Sequence, residues 1–483
     1  MAAPPSNPPT FRPAPDAGQR ALRLAEELFG IYRAKTGEGV RRSLALLADE
    51  LSGEGGEWTV HEVPTGTPIL DWEAPPEWNV RDAWIADPAD PAAGRIVDFR
   101  RCNLHVLSGS APVDRRVPWS ELKEHLDTAP DRPADVPFRT CEPGARWGFC
   151  VSQEQYDALA ARGERDYAVR IDATVAPGSL TYAEWFLPAD APKWPGNEPA
   201  EVLISTHVCH PALAHDGVSG MAVAAELART LAARPGRRFG YRLLFVPATV
   251  GAIAWLAANR DRLLGDGADR IAAGLTLACC GDDGPFTLRR SRRGDAIIDR
   301  AAAVVLNHRD EPSELRDFAP FGYDQRQYCS PGFNLPIAGL TRTPDGEYPQ
   351  YHTSADDLSL LSAAGLGGTV GVCAAIFDVL EANRTYVNRK PYGEPRLGPS
   401  GLYAAFGSDP ASAAAQRAVQ WVLNLSDGRH SLLDVAERSG LPFPAVARAA
   451  AALSAHNFLT EPAAGDRRPR PARFALPATS CPR

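Results

Sequence analysis

The amino-acid sequence predicts an α/β protein, a mixed sheet flanked by helices, with an inserted β-rich domain and a C-terminal winged-helix domain. Three observations lead there. Between Glu201 and Cys280, apolar strand-like runs alternate with Ala/Leu-rich helical stretches, the pattern of a sheet covered by helices on both faces. From Glu57 to Phe149 the chain is rich in Trp, Val and Pro and alternates over short runs punctuated by turn residues, which marks a small β unit. After Ser412 the order helix, short helix, turn, helix, short strand matches a winged helix.

The elements follow in order. Residues 1–16 form a Pro-rich leader without the apolar core of a signal peptide, and disorder is expected there. Leu22, Leu24, Ala25, Leu28 and Phe29, then Leu44, Leu46 and Leu47, recur at helical spacing on either side of Thr36-Gly37 and Gly39. The runs Trp58–Val63 and Asn103–Leu107 alternate as strands do. Glu201–Ser205, Tyr241–Val246 and Ala273–Cys280 are expected strands, Gly220–Ala233 and Val250–Leu264 expected helices. Ala414–Leu425, Leu432–Ser439 and Ala445–Ser454 are the helices of the third unit, with a turn at Gly440-Leu441-Pro442 and a strand at Asn457–Thr460. The division expected is 17–56 with 150–408 for the α/β domain, 57–149 for the insertion, 409–465 for the winged helix and 466–483 for a disordered tail.

Composition narrows the function. At 483 residues, two or three domains are expected. A net charge of -8 gives no general attraction to nucleic acid or an acidic membrane. No apolar run is read as approaching the roughly 20 residues that span a bilayer. Nine irregularly spaced cysteines argue against a disulfide framework. A cytoplasmic, reduced protein is expected.

The densest chemistry is Ser205–Gly220, where His207, His210 and His215 fall just past the carboxyl end of a strand, with Asp216 beside them. Open α/β sheets place ligands there, and imidazole with carboxylate is a zinc donor set. The plain alternative is that Asp216 or Ser219 only caps the next helix. A second element, Tyr348–Asp357, offers His352 with Asp356 four residues on, able to orient the ring from behind.

These runs resemble the zinc aminopeptidase and glutamate carboxypeptidase superfamily, in which a strand ends in His-x-Asp, a metal-bridging Asp precedes x-x-Ser-Gly, and a late His-Thr-x-x-Asp supplies the last ligand. A closer resemblance, over nearly the whole chain, is to bacterial polysaccharide-biosynthesis proteins with an aminopeptidase-like domain. It is carried by Trp147–Cys150, His207-Val208-Cys209-His210-Pro211, Tyr328–Gly332 and Tyr351–Asp356. That group also has an inserted β domain and a C-terminal winged helix. The resemblance implies a zinc-exopeptidase-like sheet, with His207, Asp216 and His352 as metal ligands and Asp356 behind them. His210 is a rival first ligand, since Cys209 stands where the superfamily has an Asp.

The chain departs from the superfamily after the next strand. There active members carry a Glu-Glu pair, base and ligand; here the place is Ala248-Thr249. The third-position Asp falls near Cys279 or Asp282. One zinc is therefore expected in preference to two. Glu347 is a candidate substitute base against the plain reading of an exposed carboxylate. Asp324 is another candidate, as ligand or as partner of Arg326. Arg292, within the basic run Arg289–Arg293, with Arg326 and Tyr351, is a candidate substrate contact, because arginine suits a carboxylate.

The winged helix offers four arginines against three acids from Ala415 to Thr460, and its last helix is mostly alanine. It is expected to pack or form a homodimer and not to bind nucleic acid. The favoured function is a zinc-dependent aminopeptidase-like hydrolase of a small peptide or amide, in natural-product or polysaccharide biosynthesis. The alternative is a catalytically degenerate binding protein, for which Ala248 speaks.

Overall fold

The central strand of the main sheet, Glu201–His207, is buried at every residue and hydrogen-bonded in parallel on both sides, as a continuous apolar run demands. The computed structural model describes residues 10–90, 92, 94–190, 200–265, 270–398, 402 and 411–462. Eight strands form this sheet: β1 Glu57–Pro64, β2 Ser179–Leu187, β3 Glu201–His207, β4 Gly240–Val246, β5 Ile271–Leu277, β6 Phe286–Arg289, β7 Ser313–Arg316 and β8 Ile337–Thr341. Their order is β1-β2-β4-β3-β5-β8-β6-β7. The pairs β4/β3, β3/β5, β5/β8 and β6/β7 are parallel, and β1/β2, β2/β4 and β6/β8 antiparallel. The sheet is mixed, as expected.

Helix Ser219–Ala232 covers the strands that carry the site. Its second residue must be glycine: a Cβ on Gly220 would stand 2.5 Å from Thr206 Oγ1 and 2.6 Å from the Leu277 carbonyl. The expected helix Val250–Leu264 is instead two, Val250–Ala258 and Arg260–Leu264, meeting at Asn259.

The insertion has different edges from those expected at 57 and 149. Residues 57–64 are β1, an edge strand of the main sheet, where Trp58 packs on Phe245 at 5.4 Å. Strand Asp166–Ala176, beyond 149, pairs with Glu77–Ala86 and Val113–Pro118 in a separate four-stranded sheet. That sheet has its own core around Trp78, Ile85, Val97, Val117, Phe149 and Val169. Asn103–His105 forms a 3₁₀ turn in place of a strand. Alternation reveals a strand but not its partner, and here the partners lie about a hundred residues away.

Two units partition the chain near residue 375. In the second, helices Ala411–Leu425, Leu432–Ser439 and Phe443–Ala455 stand with strands Asp427–Ser431 and Leu459–Thr460. Both strands pair with Thr385–Asn388, so the winged helix begins well before 409.

Two further expectations change. Part of the leader is ordered: Phe11 is buried, edge-on to Tyr241 at 5.7 Å and beneath the Arg234 guanidinium. Most of the rest of the leader, and the tail, lie outside the described residues. Helix Ala363–Ala382 is long and apolar enough to cross a membrane by composition, contrary to the sequence reading, but most of it is buried within the protein as a core helix is.

Candidate metal centre

Three elements converge at the carboxyl end of β3. His207 is its last residue and His210 follows in the loop. Asp216 sits in a wide π-type turn, Ala214–Val218, before the covering helix. Such turns are uncommon and concentrate at functional sites. His352 arrives from the loop after β8 with φ at 55°, a strained setting for a residue with a Cβ.

The side chains surround a common point. His352 Nε2 lies 3.2 Å from Asp216 Oδ2, His210 Nε2 3.8 Å from the same oxygen, and His207 Nε2 3.7 Å from Oδ1. Ligand atoms of His207, His210 and Asp216 lie within 4.8 Å of one another. Donors about 2.1 Å from one tetrahedral zinc stand about 3.4 Å apart, so these spacings fit a shared ion better than hydrogen bonds. His207 Nε2, Asp216 Oδ2 and His352 Nε2 are buried without any hydrogen-bond partner, a costly state that an ion would relieve. Gly217 leaves the space open: a Cβ there would stand 3.2 Å from His207 Nε2. The residues fit zinc.

Electrostatics agree with that donor set. Burial drives His207 down and takes His210 to about 3, so both rings are neutral with lone pairs available. Burial alone would raise Asp216, but the surrounding imidazoles outweigh it and hold the carboxyl far below its usual range.

Packing fixes the ligands. Tyr323 Oη donates to Asp216 Oδ1 at 2.6 Å, its ring stacks on His207 at 5.2 Å, and Cys279 Sγ lies 2.9 Å from its hydroxyl. Phe138 stands edge-on to both His210 and His352 at 5.2 Å, and its amide donates to the His352 carbonyl. Tyr351 stacks on His352 at 3.9 Å. Arg33 Nε donates to the His210 carbonyl at 2.9 Å. Tyr323 and Phe138 escaped the sequence reading. The first adjoins the flagged Asp324, while nothing local marks the second.

The remaining predicted residues separate into those at the centre and those elsewhere. His207, His210, Asp216 and His352 come together. Asp356 does not touch the His352 ring, as its spacing suggested. It accepts from the amides of His215 at 2.6 Å and Asp216 at 3.1 Å and from Tyr348 Oη at 2.9 Å, and so shapes the turn that carries Asp216. Four residues bring side chains together on a helix, whereas this segment is a series of turns. Burial and the nearby Asp216 raise Asp356 to about 7.

Glu347 is on the surface, paired with Arg316 at both carboxylate oxygens, which lowers its pKa and removes it as a base. Arg292 donates to Asn334 on the surface, which leaves no support for a substrate contact. Asp282 turns to Thr343 and stands 3.7 Å from His215 Nε2, and so is not a ligand in this geometry. Asp324 is buried, accepts from the Thr249 amide at 2.6 Å, and is raised by burial to about 6. Arg326 Nη2 donates to Thr249 Oγ1 at 3.2 Å.

Comparison with known proteins agrees with this architecture. The model of a domain of unknown function (DUF4910) matches residues 22–383, and a winged helix-turn-helix model matches 384–461. A Clostridium acetobutylicum protein, named for polysaccharide biosynthesis and an aminopeptidase-like domain, is 37% identical over 438 residues, covering 91% of this chain and 95% of its own. The crystal structure of a candidate peptidase from Clostridium acetobutylicum superposes with a TM-score of 0.82 at 36% identity, over 92% of this chain and 96% of that one. A zinc aminopeptidase from Bacillus subtilis shares the fold at 15% identity and a TM-score of 0.53, over 76% of this chain and 95% of its own. The chain thus belongs to the DUF4910 family, with the zinc-aminopeptidase fold and a C-terminal winged helix.

Proposed function

We propose that the chain is a zinc-dependent, aminopeptidase-like hydrolase acting on an amide or peptide bond of a small substrate. The convergence of buried, unpartnered His207 Nε2, Asp216 Oδ2 and His352 Nε2, with His210 Nε2 beside them, carries the reading. One zinc is the count this set supports. When bound, it would polarise a carbonyl and acidify a water. The chain's own residues orient the centre: Tyr323 holds Asp216, Tyr351 and Phe138 clamp the His352 ring, and Asp356 fixes the turn. The biosynthetic setting is taken from the relative's name. A reducing cytoplasm is consistent with the eight described cysteines, all free.

Ala248 favours a second reading, a binding protein that keeps the metal, because losing a general base costs about 10²–10⁴-fold in rate. Elemental analysis of wild type beside His352→Ala tests the centre. About one zinc per chain, lost in the variant, is expected. Hydrolysis of aminoacyl amides or dipeptides by wild type alone supports the enzyme. Zinc without hydrolysis supports the binding protein, and a wild type that stays metal-free after zinc addition removes both.

A further inference from the structure

Beside the ligand loop lies an open cavity of about 490 Å³, within the range of about 300–1,000 Å³ typical of small-molecule sites. Lys35, Trp72, Val250, Arg326 and Gln327 are among the residues that line it, with Ala248 and Thr249, and no carboxylate does. The Ala248 amide donates to Cys209 Sγ at 3.1 Å, and Cys209 adjoins His210, so the cavity wall and the metal centre share a segment. Arg33, two residues before Lys35, holds the His210 carbonyl.

The chain's backbone donors there are already spent. Thr249 has φ at 65° and ψ at −70°, a tight γ-turn closed by the Val250 amide on the Ala248 carbonyl at 3.0 Å. This turn is rare and strained. The Thr249 amide goes to Asp324, and the Gly251 amide to the Pro247 carbonyl. The start of helix Val250–Ala258 therefore has none of these amides to offer a ligand. The positive charge of the cavity comes from side chains. Arg326 uses Nη2 on a neutral hydroxyl, and its Nε is buried without a partner. Among the described residues, no carboxylate lies within 4 Å of Lys35 or Arg326. Asp324 acts on Arg326 through space, but its Oδ1 accepts from the Thr249 amide. Two cations facing one cavity, neither held in an ion pair among the described residues, are suited to anionic oxygens.

We propose that this cavity binds an anionic group, a carboxylate or a phosphate, of the small molecule whose amide is presented to the metal centre. The clause about the amide rests on the hydrolase reading; the anion site stands on its own residues. Lys35 and Arg326 take the charge, and Trp72, about half exposed, with Val250 covers the apolar stem that joins the two ends.

The test is calorimetric titration of inorganic phosphate and, separately, of glutarate into the full-length protein, with zinc content measured on each preparation. Wild type is expected to bind at least one of them at one site per chain, and the one that binds assigns the charge to phosphate or carboxylate. Arg326→Gln and Lys35→Met are each expected to weaken that binding about tenfold or more while leaving zinc content unchanged. If Arg326→Gln lowers the melting temperature, Lys35→Met, on the other cation, carries the test. Anion binding to a wild type that stays zinc-free after zinc addition would remove the hydrolase reading and keep the anion site. Failure of both anions to bind wild type, or variants that bind as wild type does, would overturn the proposal.

Discussion

The loops that leave β3 and β4 start from paired residues, His207 against Val246, yet they have become different devices. The first carries His207, His210 and Asp216 and packs them under aromatic rings. The second carries Ala248 and Thr249 and is held in a strained turn by Asp324, a side chain from a distant segment. One place in the sheet gathers candidate metal donors while its neighbour forms the wall of a cavity. Equivalent positions at the carboxyl ends of parallel strands are thus free to diverge, since each loop contributes its side chains separately.

The comparison is broken most severely at Asp216. Asp216→Asn is expected to take zinc from about one per chain to near zero by elemental analysis, with loss of any hydrolysis. Retention of zinc would place the centre elsewhere. Next is Asp356→Ala, which strands two buried amides and the Tyr348 hydroxyl. Unmet buried donors cost about 1–3 kcal/mol each, so a loss of about 4 kcal/mol is expected in urea denaturation, with part regained by Asp356→Asn.

On the cavity side, Asp324 has its carboxyl raised to about 6 from 3.8 by burial. The folded state therefore binds the proton more tightly than the unfolded chain. The stability this contributes is full below about pH 3.8 and is lost as pH rises through 6. Relative to wild type, Asp324→Asn is expected to gain about 2 kcal/mol on going from pH 4 to pH 8. The accepting oxygen for Thr249 is kept in the variant. Parallel pH-dependent denaturation curves for the two proteins would refute it. The smallest effect is expected at the surface: Glu347→Gln breaks an exposed pair with Arg316 and should cost less than about 1 kcal/mol, with zinc content unchanged.

Much of the centre was legible because its chemistry is local. His207, His210 and Asp216 after a strand are candidate donors by residue type and place, and the resemblance to the aminopeptidase superfamily singles out His352 in a late His-Thr-x-x-Asp. What failed was any inference that needed a direction in space. Asp356 meets the amides of the Asp216 turn and not the His352 ring that its spacing points to, and Arg316 holds Glu347 outside the centre. Phe138 was missed altogether, since residues 136–138 meet 352–354 only through pairing across more than two hundred positions.

By itself the sequence determined the alternation of helix and strand, the apolar faces, the histidine- and aspartate-rich run after β3 and the Ala248-Thr249 pair after β4. These follow from periodicity and side-chain chemistry, which act over a few residues. Only the tertiary structure decided that Glu57–Pro64 joins the main sheet and Asp166–Ala176 the smaller one. It also decided that His210 stands with His207 around Asp216, and that Lys35 and Arg326 share a cavity beside them. The physical reason is the same throughout: a residue's own neighbours dictate which face it buries, while the partner it meets there is selected by packing between segments far apart in the chain.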